Sequence, residues 1–199
     1  MLIDIIKVSP GIVHFFSDKY CMIDDFYVYE TPDFLDLPYI QKLVMDKLEA
    51  EFVQKGYVRI DISTNDYLKS VQEKFTFLGS WLNIYHTPPT GYIPLHIDGH
   101  RLAAFNIPIS GCDDTSATIY YEPVAGEIEK VYKPDERHYR ITGEMKEVYR
   151  FSLKRPALIR NDVAHDVKRF AAADIRIIAS WGVAGSFEEC KEKFKEILL

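Results

Sequence analysis

Among the six histidines of this 199-residue chain, His96 lies two places before Asp98, inside the apolar run Ile93-Pro-Leu-His-Ile-Asp-Gly-His-Arg-Leu-Ala-Ala-Phe-Asn-Ile-Pro-Ile109. In a strand, residues i and i+2 project to the same side, so an imidazole and a carboxylate at this spacing can hold one ion. Gly99 leaves room for a sharp bend just after them. By itself the pair is weak, because with 16 Asp in the chain roughly one His in twelve precedes an Asp at this distance by chance. The apolar setting strengthens it: a buried imidazole and carboxylate without partners are costly, and a metal satisfies both. The competing reading makes Asp98 a cap of the turn at Gly99 and His96 a hydrogen-bonded core residue. A facial metal site needs a third ligand from a strand remote in sequence, and His165, in Asn161-Asp-Val-Ala-His-Asp-Val167, is the candidate.

A second chemical feature stands close behind. In Ile175-Arg-Ile-Ile-Ala-Ser-Trp181 strand alternation sets Ile175, Ile177, Ala179 and Trp181 on one face and Arg176, Ile178 and Ser180 on the other. A guanidinium inside a β core needs an anion; where no protein carboxylate supplies one, a bound carboxylate does, held by the Arg176 fork with Ser180 as a second donor. The alternative is an exposed face on which Arg176 makes an ordinary surface ion pair. A symmetric hairpin centred between Phe170 and Ala171 would set His165 directly opposite Arg176, on one face of one sheet. Asn83, which shares a strand face with Trp81 and Tyr85, and Asn106, amid Ala104, Phe105, Ile107 and Pro108, are candidates to hydrogen-bond a bound acid or the metal ligands. Each reads equally as a satisfied core amide. His100, Arg101, Tyr120 and Arg160 are further candidates to face a substrate.

These residues need a framework, and the composition supplies one. The chain is 47% hydrophobic and 14% aromatic, a folding profile, and its length suits a single domain. A net charge of −6 disfavours duplex nucleic acid as partner, since sequence-blind phosphate binding needs a basic surface. Cys21, Cys112 and Cys190 have no paired spacing, which argues against a disulfide framework or a cysteine zinc site and for a reducing compartment. The first residues lack a signal-peptide pattern and no apolar stretch approaches membrane-spanning length, so a cytoplasmic protein without a membrane partner is expected.

Along the chain, residues 1–79 combine short edge strands with two supporting helices. One helix carries Ile40, Leu43, Val44, Leu48 and Phe52 at helical spacing, with Asp36 as N-cap and Gly56 beyond its end; a shorter one begins at Ser63 and runs to about Lys74. From residue 80 to 183 strand follows strand: 81–86, 92–98, 102–109, 117–122, 157–160, 163–167 and 175–183, separated by turn signals. Residues 126–150, with 12 charged residues of mixed sign, read as an exposed hairpin insertion, either a lid or a solvated face. Residues 184–199 form a C-terminal helix, opened by a Ser186/Glu189 capping box, with Phe187, Cys190, Phe194 and Ile197 as its buried stripe. The expected fold is mainly β with flanking helices.

Taken together, His96, Asp98, His165 and Arg176, in that order and each in a strand, resemble the iron(II)- and 2-oxoglutarate-dependent oxygenases. The likeness covers about residues 80–183, includes the Asn106-Ile-Pro-Ile109 strand after the metal pair, and leans toward prolyl-hydroxylase-like and aspartyl/asparaginyl-hydroxylase-like members without fixing a subfamily. It implies a double-stranded β-helix core of jelly-roll or cupin-like type. It implies iron(II) on His96, Asp98 and His165 with three open positions, and 2-oxoglutarate chelating the iron while its far carboxylate meets Arg176. Dioxygen would be the oxidant, and a small-molecule or peptide substrate would be hydroxylated with release of succinate and carbon dioxide. Two other classes compete: a cupin-like metalloenzyme without 2-oxoglutarate, in which Arg176 binds the substrate's own acid, and a non-catalytic β-sandwich binding module. Substrate identity and oligomeric state are not encoded in these motifs.

Overall fold

A computed structural model describes residues 26–51, 58–125, 129–133, 138–170 and 174–198. The elements in chain order are β1 (Val28–Glu30), α1 (Leu37–Glu51), β2 (Val58–Asp61), α2 (Asp66–Lys74), β3 (Leu78–Thr87), β4 (Ile93–Asp98), β5 (Ala103–Ser110) and β6 (Ser116–Pro123). There follow β7 (Glu129–Lys133), β8 (His138–Thr142), β9 (Met145–Phe151), β10 (Ala157–Arg160), β11 (His165–Arg169), β12 (Arg176–Val183) and α3 (Phe187–Leu198). The architecture is mainly antiparallel β: two six-stranded sheets, ordered β1-β10-β5-β12-β3-β2 and β7-β8-β4-β11-β6-β9, with helices against the first, a β-sandwich of jelly-roll kind.

Strand alternation divides the first sheet into two faces. Phe105 and Ile107 of β5, Leu82 and Ile84 of β3, and Ala179 and Trp181 of β12 point to one side. There they form the main core with Ile40, Val44 and Leu48 of α1, Leu68 and Val71 of α2, and Phe187, Cys190 and Phe194 of α3. The helices form where the sequence supplies both stripe and cap. Asp36 accepts from the backbone N–H of Tyr39, and Ser186 and Glu189 close a reciprocal capping box on α3. At α2 the expected start shifts: Asp61 caps a single 3₁₀ turn over Ile62–Thr64, and Asn65, not Ser63, caps α2 by accepting from Leu68 N–H. The readings of strands before residue 26, of Cys21, and of Phe52 and Gly56 at the end of α1 fall outside the described residues.

The opposite face of the first sheet packs on the second. Ala104, Ile159 and Ile178 meet Tyr120 and Phe151 in a smaller core between the sheets, capped by Tyr27, whose ring stacks on Tyr120 and Tyr149. The described part of residues 126–150 joins this framework: β7 pairs antiparallel with β8, β8 continues the second sheet on β4, and β9 pairs with β6. Among the described residues no helix is long and apolar enough to cross a membrane. Cys112 and Cys190 are unpaired thiols.

One expected register is overturned. β11 and β12 do not pair: β11 lies between β4 and β6 in the second sheet, whereas β12 lies between β3 and β5 in the first. Consecutive strands β11 and β12 thus lie in different sheets, so His165 and Arg176 face each other's sheets instead of sharing a ladder. Period-two alternation fixes faces and leaves the identity of the neighbouring strand open.

Candidate metal and anion site

Between the sheets lies a cavity of about 220 Å³. The second sheet contributes His96, Asp98, His138 and His165 to its wall, and the first sheet contributes Asn106, Arg176, Ile178 and Ser180. His96 and Asp98 project together from β4 because they are two apart, with Ile97 turned to the other face. β11 runs antiparallel to β4 in a register that sets His165 opposite His96. One ligand atom from each of His96, Asp98 and His165 lies within 4.8 Å of the others. The two imidazole rings are 4.3 Å apart between centroids.

Hydrogen bonds turn these three side chains into a prepared set. His96 Nδ1 lies 2.7 Å from the Pro94 carbonyl and His165 Nδ1 lies 2.9 Å from the Val163 carbonyl. A carbonyl only accepts, so Nδ1 carries the proton in both rings and each Nε2 keeps its lone pair for the centre. Asp98 Oδ1 is 3.4 Å from His96 Nε2. Its other oxygen, Oδ2, accepts from Arg101 Nε at 3.1 Å, Arg101 Nη2 at 2.8 Å and Asn161 Nδ2 at 2.9 Å. Burial pushes the Asp98 carboxyl up, but the adjoining His96 ring and the charge of Arg101 outweigh it and hold the group well below the usual carboxylate range. Burial, reinforced by His96, depresses His165 to about 4. An ionised carboxylate and a neutral imidazole are the forms a metal requires.

Arg176 is 4% exposed, lines the same cavity, and has a buried Nε without a hydrogen-bond partner. Among the described residues no carboxylate forms an ion pair with it. Burial lowers the basicity of its guanidinium, opposed by the nearby Cys112 thiol and reinforced by Arg169. A buried cation on a cavity wall, without a carboxylate partner among the described residues, leaves a desolvation cost that a bound anion would relieve.

The structure thus brings His96, Asp98, His165, Arg176, Ser180 and Asn106 to one cavity. Asn83 is not among the lining residues: it is half-buried, paired in register with Ser180 and Arg59 on neighbouring strands. Of the residues considered for substrate contact, His100 and Arg101 line the cavity, as does Tyr85 from β3. Arg160 is drawn away by Glu188 and Asp162, and Tyr120 is fully buried, with its hydroxyl donating to the Tyr27 carbonyl at 3.4 Å. Two residues carry more of the site than their sequence context shows. Asn161 steadies Asp98, and the ring of His138 on β8 lies 5.0 Å from that of His96. Only the β4–β8 pairing, which sets His138 opposite Asp98, brings it there.

No protein-family model and no curated protein matches the chain. Among solved structures it is similar to a prolyl-4-hydroxylase from Pseudomonas putida, at 12% identity and a TM-score of 0.44, over 80% of this chain and 94% of that one.

Proposed function

We propose that the chain is an iron(II)- and 2-oxoglutarate-dependent oxygenase on a double-stranded β-helix, hydroxylating an unactivated carbon of a small-molecule or peptidyl substrate. One observation supports this reading above the others: a buried arginine without an anionic partner among the described residues shares a cavity with two imidazoles and a carboxylate whose ligand atoms gather within 4.8 Å. Two imidazoles and a carboxylate with positions left open are the donor set of non-haem iron(II) oxygenases. His96, Asp98 and His165 would hold the metal. Arg176 would receive the far carboxylate of 2-oxoglutarate, and the Ser180 hydroxyl lies on the same face of β12 to assist. Asn106, at the register position beside Ser180 on β5, lines the wall between them.

When bound, iron(II) with 2-oxoglutarate and dioxygen supplies the oxidation, releasing succinate and carbon dioxide as oxygen enters the substrate C–H bond. The protein's residues orient and enclose. The carbonyls of Pro94 and Val163 fix both imidazole tautomers, Arg101 and Asn161 steady the carboxylate, and Ile93, Ala104, Ile159, Val167 and Ile178 keep the walls apolar so that water is excluded. The proposal takes the 199 residues as one domain, because the main core unites the three helices with the first sheet and that sheet frames the cavity.

The test is an anaerobic titration of the iron(II)-loaded protein with 2-oxoglutarate, following the weak visible charge-transfer band of a chelated keto acid. A saturable band is expected in the wild type, absent in His96→Ala and shifted to much higher ligand concentration in Arg176→Ala. Bound iron without a band would favour the cupin-like metalloenzyme whose substrate acid meets Arg176. Absence of stoichiometric iron would leave a β-sandwich binding module.

A further inference from the structure

The two sheets that frame the cavity are tied together at the site by one side chain. Arg101, three residues past Asp98, spends three of its five N–H donors there. Nε and Nη2 go to Asp98 Oδ2 on the second sheet, and Nη1 goes to Ser180 Oγ on the first at 3.3 Å. Asn161 adds a third donor to Oδ2 at 2.9 Å, and its backbone is locked in turn: Asp98 N–H donates to the Asn161 carbonyl at 3.1 Å, and Asn161 N–H to the Leu102 carbonyl at 2.9 Å. An oxygen of a carboxylate has about two lone-pair sites. With three donors on Oδ2, only Oδ1 is left to turn toward the imidazoles. At Ser180, the oxygen is engaged as an acceptor, which aims the hydroxyl proton away from Arg101.

We propose that Arg101 is a positioning residue with two outputs. It reserves one oxygen of Asp98 for the metal, and through Ser180 it presets the anion-binding wall of the opposite sheet; Asn161 shares the first output only. The inference rests on the metal and anion reading given above. A guanidinium is suited to this because its planar fork spans two acceptors at fixed angles, whereas a lysine ammonium is a point contact that can satisfy one. Metal affinity alone is a poor measure of such a role, since a cation beside a ligand carboxylate both orients it and repels the metal.

The experiment uses the full chain loaded with cobalt(II), whose visible d–d absorption reports the number and geometry of its ligands, in wild type, Arg101→Gln, Arg101→Lys and Asn161→Ala. Freeing Oδ2 allows Asp98 to bind through both oxygens, so the spectrum is expected to change most in Arg101→Gln, which removes two of its three donors, less in Asn161→Ala, which removes one, and to be largely restored in Arg101→Lys. Affinity of the cobalt protein for 2-oxoglutarate is expected to fall about tenfold in both Arg101 variants, the loss of one hydrogen bond from a charged donor, and to change about twofold or less in Asn161→Ala. A cobalt spectrum unmoved in every variant would overturn the first output, and equal 2-oxoglutarate affinities in Arg101→Lys and wild type would overturn the second. If Arg101→Gln fails to fold, Arg101→Met takes its place for the cobalt spectrum, and Arg101→Lys still decides the second output. Failure of the wild type to take up cobalt would instead overturn the metal site itself.

Discussion

Arg176 sets the energetic terms at the scale of single residues. Its side chain is buried, yet no described carboxylate pairs with it, so the ligand-free fold bears the desolvation of a cation that a bound anion would relieve. Replacing it with methionine, which fills similar space without charge, is expected to stabilise the metal-free protein by about 1 kcal/mol or more. If the proposed function holds, the same change weakens 2-oxoglutarate binding about 100-fold, as loss of a desolvated charge pair does. Urea unfolding and ligand titration of the same variant measure the two effects; a loss of stability would mean that the guanidinium serves the fold. Arg176 was legible in the sequence because a charge on an otherwise apolar strand face stands out, and so was the His96/Asp98 spacing. The parts played by Arg101 and Asn161 were not, since an arginine or asparagine in a polar connection looks the same whether it clamps a carboxylate or meets solvent. Asn83 illustrates the opposite error: it shares a face of β3 with Tyr85 and stands in register with Ser180, yet those two line the cavity and Asn83 does not.

Among the elements, the turn between β5 and β6 governs where Arg176 begins its strand. Gly111 has φ +59°, and a Cβ there would lie 2.4 Å from the Ile175 carbonyl oxygen and 3.2 Å from the Arg176 Cα. Gly143, in the turn between β8 and β9, also has positive φ, at +108°, but a Cβ there meets nothing within 4 Å. Gly143→Ala should therefore cost only backbone strain, about 1–2 kcal/mol, and Gly111→Ala that strain plus a backbone clash, about 3 kcal/mol or more. For a domain of this size that is a fall in Tm of roughly 6–12 °C for Gly111→Ala. Calorimetric unfolding of the two variants compares them directly, and equal losses would contradict the role of the Ile175 contact. Element identity is readable wherever periodicity is strong: β10 spans the expected residues, α1 carries its expected stripe through Leu48, and α3 carries its own. The pairing of β11 with β12 is misleading in the sequence because a short connection between two strands looks like a hairpin. The crossing is set by apolar faces that must meet across two sheets, a constraint no local window contains. In the same way the mixed charge of residues 126–150 conceals that β8 and β9 extend the second sheet on opposite sides.

For the molecule as a whole, the site is a strain borne by both sheets in common. Each sheet buries polar groups toward the other: His96, Asp98 and His165 from one, Arg176, Ser180 and Asn106 from its counterpart. These groups remain near their functional protonation states only while the sheets stay closed, so the site's chemistry and global stability share a dependence on pH. In the metal-free fold His165 titrates at about 4, against 6.5 for an unperturbed histidine, because burial disfavours its charged form. As pH falls, the unfolded chain therefore takes up this proton first. The stability associated with a neutral His165 is complete above about 6.5 and is lost progressively down to about 4, a total of about 3 kcal/mol. Asp98, held low, shifts the balance the same way only at still lower pH, below its unfolded value of 3.8. Urea midpoints of chelator-treated protein measured from pH 7.5 to 4.5 should fall with this slope. His165→Gln, which keeps a polar side chain of similar length and cannot titrate, should flatten the decline over that window by most of its extent. A curve of unchanged steepness in His165→Gln would show that the proton enters elsewhere, and that closure of the two sheets does not depend on a neutral imidazole at this position.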